Sequence, residues 1–444
     1  MQRRVQLPRR QRRRHQRRSL EQRHRGLAQR RRHRVAVPYD GHQPRGRPSP
    51  GTPRQRTDLL RREPAGPAHA ATVDGPAGLH PERVAARRGT VGERVTAAPV
   101  TGRLAPSPTG RMHLGNAYAA LAAWLGVRAT GGRVLLRIED IDAPRVVKDA
   151  DRWIMDDLAW LGLDWDGEPV YQSQRLDAYE EALRRLREQG LVYPCFCSRA
   201  DIRAASAPNE GDGFLIYPGT CRRLPAAERE SRVARGDRHS WRLAVPDAYA
   251  DPDPDTSVMS EHADSDISRV DRAACDAPTE GLPRVVCFDD RVFGPQRFDL
   301  PRQLGDVVVR RSDGLFAYQL AVSVDDMAMG VTQIVRGRDL LRSTAIQLYV
   351  RRCLGATDTP EFAHLPLIDA ADGRRMAKRL NSLDLGAMRE RGDDPRAVVG
   401  YCAWLLRLVG EPRPMTPQEL LPLFSWEAVA ADTADRVSTC CGVL

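Results

Sequence analysis

The sequence predicts an α/β fold, a parallel sheet covered by helices and broken by one insertion. Three observations predict it. Short apolar, β-branched runs such as Val134–Ile138, Asp306–Arg310 and Val331–Val335 alternate with longer segments of helical period. That alternation is the signature of strands joined by crossover helices. Residues 194–300 then interrupt it with a group of cysteines and a stretch rich in Asp, Ser, Ala and Pro.

Taken in order, residues 1–98 alternate Arg with Gln, Pro, Gly and Ala and show no hydrophobic period. Such a segment cannot bury enough apolar surface to offset chain entropy, so it reads as a disordered extension without a folded role. The first half of the α/β domain spans 99–193. It opens on Arg103-Leu-Ala-Pro-Ser-Pro-Thr-Gly-Arg-Met-His-Leu-Gly-Asn116, a strand end, a tight turn and a helix start. Ala117 to Val127 continues as helix, and Val134–Ile138 as a buried strand ending at Glu139. Residues 149–161 and 175–189 carry apolar residues at helical spacing, with Gly190 as a stop. Ligands of parallel sheets sit beyond the carboxyl ends of the strands, where Arg103–Ser107 and Glu139 fall.

The insertion, 194–300, holds a β-prone run at Trp241–Val245, a disordered loop over 247–284, a strand at Val285–Phe288 and a hairpin running to Gly294. The α/β pattern returns over 301–370, with helices at Tyr318–Met329 and Leu340–Cys353. Residues 371–444 contain a basic glycine loop, Asp372-Gly-Arg-Arg-Met-Ala-Lys-Arg379, then short helices near 395–409 and 417–424.

Composition sets bounds on this reading. The chain has 444 residues and 41% hydrophobic content, enough for two or three domains. It contains no apolar run long enough to span a bilayer, and its Arg-rich start lacks the apolar core of a secretory signal, so a cytoplasmic protein is expected. The net charge of +11 is unevenly spread: residues 1–100 hold 25 Arg against 7 acidic residues, a formal +18, which leaves −7 for the rest. Disulfides are improbable in such a chain, and clustered Cys points to metal. Lysine occurs only at 148 and 378, against 67 Arg. Lys378 lies on the glycine loop after a strand of the same sheet, where it can reach a triphosphate and stabilise charge on a leaving pyrophosphate.

The Arg103–Asn116 string closely resembles the first signature of class I aminoacyl-tRNA synthetases in the glutamyl and glutaminyl branch. His113-Leu114-Gly115-Asn116 stands where the family has its "HIGH" tetrapeptide. Arg375-Met376-Ala377-Lys378-Arg379 resembles the second signature, "KMSKS", with Arg for the first Lys and Ala for Ser; the two lie about 260 residues apart in the family's order. The resemblance covers about 103–425 apart from the 247–284 loop. It implies a Rossmann-like class I synthetase catalytic domain, with His113 and Lys378 stabilising the reacting phosphates and Gly115, Asn116, Arg375 and Met376 belonging to the ATP site.

The same resemblance matches Arg103, Leu104, Ala105, Pro106, Ser107, Glu139, Tyr318 and Arg336 to glutamate contacts. The chemistry agrees, since two carboxylates and one ammonium call for two cations and one anion, here Arg103, Arg336 and Glu139. A surface ion pair of Arg336 with Asp339 is the plainer alternative.

Cys195, Cys197 and Cys221 are three thiols within 27 residues, which suits a structural zinc, although spacing leaves the fourth ligand open. The pattern resembles the zinc site of glutamyl-queuosine tRNA(Asp) synthetases, which implies Tyr217 as that ligand. Only 65 residues follow Arg379, so no anticodon-binding domain is expected. The implied activity is tRNA-independent activation of L-glutamate with ATP and Mg²⁺, then transfer to queuosine in tRNA(Asp), by a monomer with one Zn²⁺. The competing readings are a truncated glutamyl-tRNA synthetase charging tRNA(Glu), a non-catalytic zinc-stabilised RNA-binding protein, and a nucleotidylyltransferase acting on a small metabolite.

Overall fold

Parallel pairing on both sides makes the short strand β1 (Thr101–Leu104) an interior strand of the sheet, between β2 (Arg133–Ile138) and β9 (Gln333–Gly337). The structure, a computed structural model, describes residues 99–205, 215–246, 281–370 and 384–438. Beyond β2 lies β3 (Val170–Tyr171). Beyond β9 come β10 (Glu361–Leu365), β6 (Val285–Asp290) and β7 (Gly294–Asp299), giving the order β3–β2–β1–β9–β10–β6–β7. All neighbours are parallel except the edge hairpin β6–β7.

Helices cover both faces, as a parallel sheet requires. On one face lie α1 (Leu114–Arg128), α2 (Ala150–Trp160) and α9 (Pro395–Leu405). On the other lie α3 (Leu176–Glu188), α6 (Tyr318–Ala328) and α7 (Leu341–Cys353). The strands alternate accordingly, with Val335 and Ala363 in the first core and Ile334 and Phe362 in the second. Gly102 lets α1 lie close on β1, because a Cβ there would stand 2.3 Å from Val127 Cγ2. The resulting contact fixes the height of the signature helix above the strand ends.

A separate antiparallel sheet joins β4 (Val192–Cys195), β5 (Ser240–Leu243) and β8 (Val307–Arg310). Two assignments made from sequence order therefore change. β6 and β7 belong to the main sheet rather than to an insertion ending at 300, because β6 pairs with β10. β8 belongs to the small sheet, because its partner is β5. The two-residue β3 and the pair β11 (Ile368–Ala370) with β12 (Arg436–Ser438) carry too few residues to show a period. Cys287 is disulfide-bonded, against the expectation from composition. The extension 1–98, most of the 247–284 loop, and Arg375, Met376 and Lys378 lie outside the described residues.

Among the described residues no helix is long and apolar enough to cross a membrane.

Helix α8 (Leu385–Arg391) packs on α2, where Asp157 is fully buried with Arg389 Nη1 3.7 Å from its Oδ1. Burial pushes the Asp157 carboxyl up to about 6, and Arg389 only partly offsets it. The native state thus holds a proton that the unfolded chain has already released, and stability from this group falls as pH rises from about 4 to 6. Asp157→Asn should gain about 1 kcal/mol over wild type at pH 7.5 and nothing at pH 4, measured by urea unfolding at both pH values.

Candidate active site

The chain runs outward from β1 to β2 and β3, crosses to the far edge as the hairpin β6–β7, and then returns to β9 beside β1. The order reverses between β1 and β9, which is where parallel α/β sheets open a crevice beyond their strand ends. A cavity of about 160 Å³ lies there, lined by Arg103, Leu104, Ala105 and Pro106 from β1 and its loop, Asn116 from α1, Glu139 after β2, Tyr318 at the head of α6 and Arg336 on β9. Of the glutamate-site residues expected from sequence, Ser107 alone stands apart, exposed and outside this lining. The loop is clipped to Glu139 by its N–H, which donates to Pro106 O at 3.0 Å.

The charges around the cavity form one buried network. Arg137, two residues before Glu139 on the same strand face, is fully inaccessible. Its guanidinium donates to Asp326 Oδ1 at 2.6 Å and to Glu139 Oε1 at 3.0 Å. Asp326 also accepts from Arg103 Nε at 3.3 Å. Burial alone would raise the Asp326 carboxyl, but Arg137 and Arg103 together hold it below the usual range. Glu139 is pushed up by burial, which the same two arginines only partly counter. Burial likewise raises the Tyr318 phenol, helped by Glu139.

Arg336 does not pair with Asp339. Its Nε donates to His364 Nε2 at 3.2 Å and its Nη2 to Thr344 Oγ1 at 2.6 Å. Its Nη1 is buried without a hydrogen-bond partner. Burial depresses its pKa. Arg336 lines the cavity beside Tyr318, whose phenol also acts on the guanidinium.

The helix start is built as an anion-tolerant cap. His113 is the N-cap of α1: its Nδ1 accepts from Gly115 N at 3.1 Å, and Asn116 Oδ1 accepts from His113 N at 3.0 Å. That bond places the ring proton on Nε2. His113 and Gly115 fall outside the cavity lining, while Asn116 is part of it. Asp384, the first described residue after 371–383, forms an antiparallel bridge with His113, and Leu385 N donates to Met112 O at 2.9 Å.

On the small sheet, the sulfurs of Cys195, Cys197 and Cys221 lie within 4.8 Å of one another. Tyr217 Oη sits 3.4 Å from Cys195 Sγ, 3.7 Å from Cys197 Sγ and 2.7 Å from Cys221 N. Tetrahedral ligands at metal–sulfur and metal–oxygen lengths stand roughly 3.5–3.8 Å apart, so these four donors fit one ion. Arg242 lies over the Tyr217 ring, with its guanidinium carbon 3.9 Å from the ring centre. Burial, and next the bond with Cys195, raise the pKa of the Tyr217 phenol.

The family model for class I tRNA synthetases (E and Q), catalytic domain, matches residues 99–260 and 255–429. The glutamyl-Q tRNA(Asp) synthetase of Symbiobacterium thermophilum is 44% identical over 336 residues, covering 73% of this chain and 91% of its own. That of Geobacter sulfurreducens is 46% identical over 293 residues, covering 66% and 79%. The chain belongs to the glutamyl-Q tRNA(Asp) synthetase family. The glutamate-tRNA synthetase structure from Elizabethkingia anophelis superposes with a TM-score of 0.60 at 25% identity, covering 77% of this chain and 68% of that one.

As a class I synthetase the protein is an ATP-dependent ligase. Some of the polar residues around its cavity escaped sequence reasoning: Arg137, Asp326, Thr344 and the pair His364–Asp290. A signal was present for three of them. Arg137 and His364 interrupt otherwise apolar strands, and Asp326 sits in a largely apolar helix. Charged or polar residues at core positions of this synthetase fold mark partners of other buried charges.

Removing Asp326 would leave two guanidiniums buried with reduced compensation. Asp326→Ala should lower unfolding free energy by about 3–5 kcal/mol, read by urea denaturation.

Proposed function

We propose that the chain activates L-glutamate with ATP, without needing tRNA, and transfers the glutamyl group to queuosine at the wobble position of tRNA(Asp). The observation that carries this reading is the cavity at the strand-order reversal, where Arg103 and Arg336 face the same space as Glu139. Two cations and one anion match a dicarboxylic amino acid. The names of the similar proteins support the choice of acceptor.

In the first step a glutamate carboxylate oxygen attacks the α-phosphorus of ATP, supplied as its Mg²⁺ complex, and pyrophosphate leaves. Arg103 and Arg336 hold the carboxylates, and Glu139 receives the ammonium. The proton on His113 Nε2 and the Lys378 ammonium stabilise charge on the phosphates, with Arg375 and Met376 flanking that lysine. In the second step a queuosine hydroxyl attacks the acyl carbon and AMP leaves. Catalysis is by positioning and charge, with no covalent enzyme nucleophile.

Zinc held by Cys195, Cys197, Cys221 and Tyr217 supplies a structural crosslink between β4 and the segment before α5 (Ala226–Ala234).

Incubation with ATP, labelled glutamate and tRNA(Asp) should label queuosine-containing tRNA and leave queuosine-free tRNA unlabelled. Glutamate-dependent pyrophosphate exchange should proceed without tRNA and fall about 100-fold or more in Lys378→Ala. Charging of tRNA(Glu) instead would establish the glutamyl-tRNA synthetase reading, and no exchange at all would establish a binding protein. Metal analysis should find one zinc per chain, and Cys197→Ser should lose most of it.

A further inference from the structure

A guanidinium that receives a substrate carboxylate needs a fixed direction and an intact charge. Arg103 obtains its direction from a carboxylate, Asp326, which also neutralises it. Arg336 is held differently. Its hydrogen bonds go to an imidazole and a hydroxyl, both neutral acceptors, and the Tyr318 phenol, which lines the same cavity, acts on it as well.

The imidazole is itself held in one state. His364 is fully buried on β10, directly opposite Arg336 in the parallel register. Asp290 on β6 accepts from the His364 backbone N–H at 3.0 Å and from ring Nδ1 at 2.6 Å. A carboxylate can only accept, so Nδ1 carries the proton. A guanidinium can only donate, so Nε2 facing Arg336 carries the lone pair. Two one-way partners thus define a neutral ring and a single tautomer. The charged groups acting on His364 are Asp290, Arg336 and Arg103; Thr344 Oγ1 lies 3.0 Å from Nε2, and Phe288 and Phe362 stand against the ring. Burial, with the two arginines, keeps the ring below its ordinary pKa although Asp290 acts the other way.

We propose that His364, locked by Asp290, is the positioning residue that aims the Arg336 guanidinium at a substrate carboxylate while leaving the arginine's charge unspent. The Asp290 carboxylate is kept one ring away from Arg336, so it orients the cation without competing for it. An acid at position 364 would make the same hydrogen bond but neutralise Arg336, and the site would lose its preference for a carboxylate over an amide. This inference rests on the glutamate reading of the cavity.

The test compares three substitutions by calorimetric titration of the full chain with glutamate, with glutamine, and separately with ATP. His364→Gln keeps a neutral acceptor near the Nε2 position and should hold glutamate affinity within about 3-fold of wild type. His364→Leu removes the acceptor, and His364→Glu substitutes a charged one; each should weaken glutamate binding about 10-fold or more while ATP affinity stays within about 2-fold. His364→Glu should also narrow the preference for glutamate over glutamine. Equal glutamate affinity in the Gln and Glu variants, or equal loss for glutamate and ATP, would overturn the proposal. Should His364→Leu fail to fold, the Gln–Glu comparison decides alone. A wild-type protein that binds no glutamate would instead sink the glutamate reading itself, a separate outcome.

Discussion

The site depends on burying Arg137. Its guanidinium lies wholly out of water at the end of β2, an arrangement that would be prohibitive for an unpaired charge. Asp326 from α6 and Glu139 from the following loop compensate it, and Asp326 in turn holds Arg103 on β1. Three segments remote in sequence therefore meet at one ionic cluster. The helix that supplies Asp326 also presents Tyr318 at its head, so the wall of the cavity and the base of the cluster are one element. Breaking such a cluster is costly because each remaining charge is stranded, and that cost ties the geometry of the pocket to the integrity of the sheet.

Asp325, the neighbour of Asp326, extends the same logic outward. It accepts from Arg175 at 2.6 Å, Gln172 at 2.8 Å and Tyr179 at 2.9 Å. The start of α3 is thereby fastened to α6. Two adjacent acids on one helix thus share Arg137, and Asp325 adds the tie to the helix layer. Their placement explains why a helix that is otherwise apolar tolerates both without exposing either.

Much of this was legible in the sequence, for identifiable reasons. Arg103, Glu139, Tyr318 and Arg336 lie in local patterns, a turn after a strand, an acid at a strand end, a helix head, and their convergence follows from the rule for parallel sheets. Helical segments such as 175–189 were readable because a dozen residues show a period. What stayed hidden depends on register between distant strands. That Arg336 faces His364 follows from the pairing of β9 with β10, and that His364 meets Asp290 follows from the pairing of β10 with β6. β6 precedes its partner by about 70 residues, so reading along the chain assigned it to the insertion. Strand order is a property of the assembled sheet, and no local pattern encodes it.

The two signature segments are joined by backbone as well as by chemistry. Met112 and His113 pair with Leu385 and Asp384, so the chain that leaves the second signature is stitched to the first. Upstream, β11 ends at Ala370 and is pinned by β12, through a register that sets Ile368 against Arg436. Arg436 is buried and donates to Leu405 O at 2.9 Å, which ties that pin to α9. Lys378 stands six positions before Asp384, with five residues between them. A lysine so few residues before the bridge to a histidine-capped helix start, in a chain that uses lysine only twice, is the physical content of the two signatures taken together.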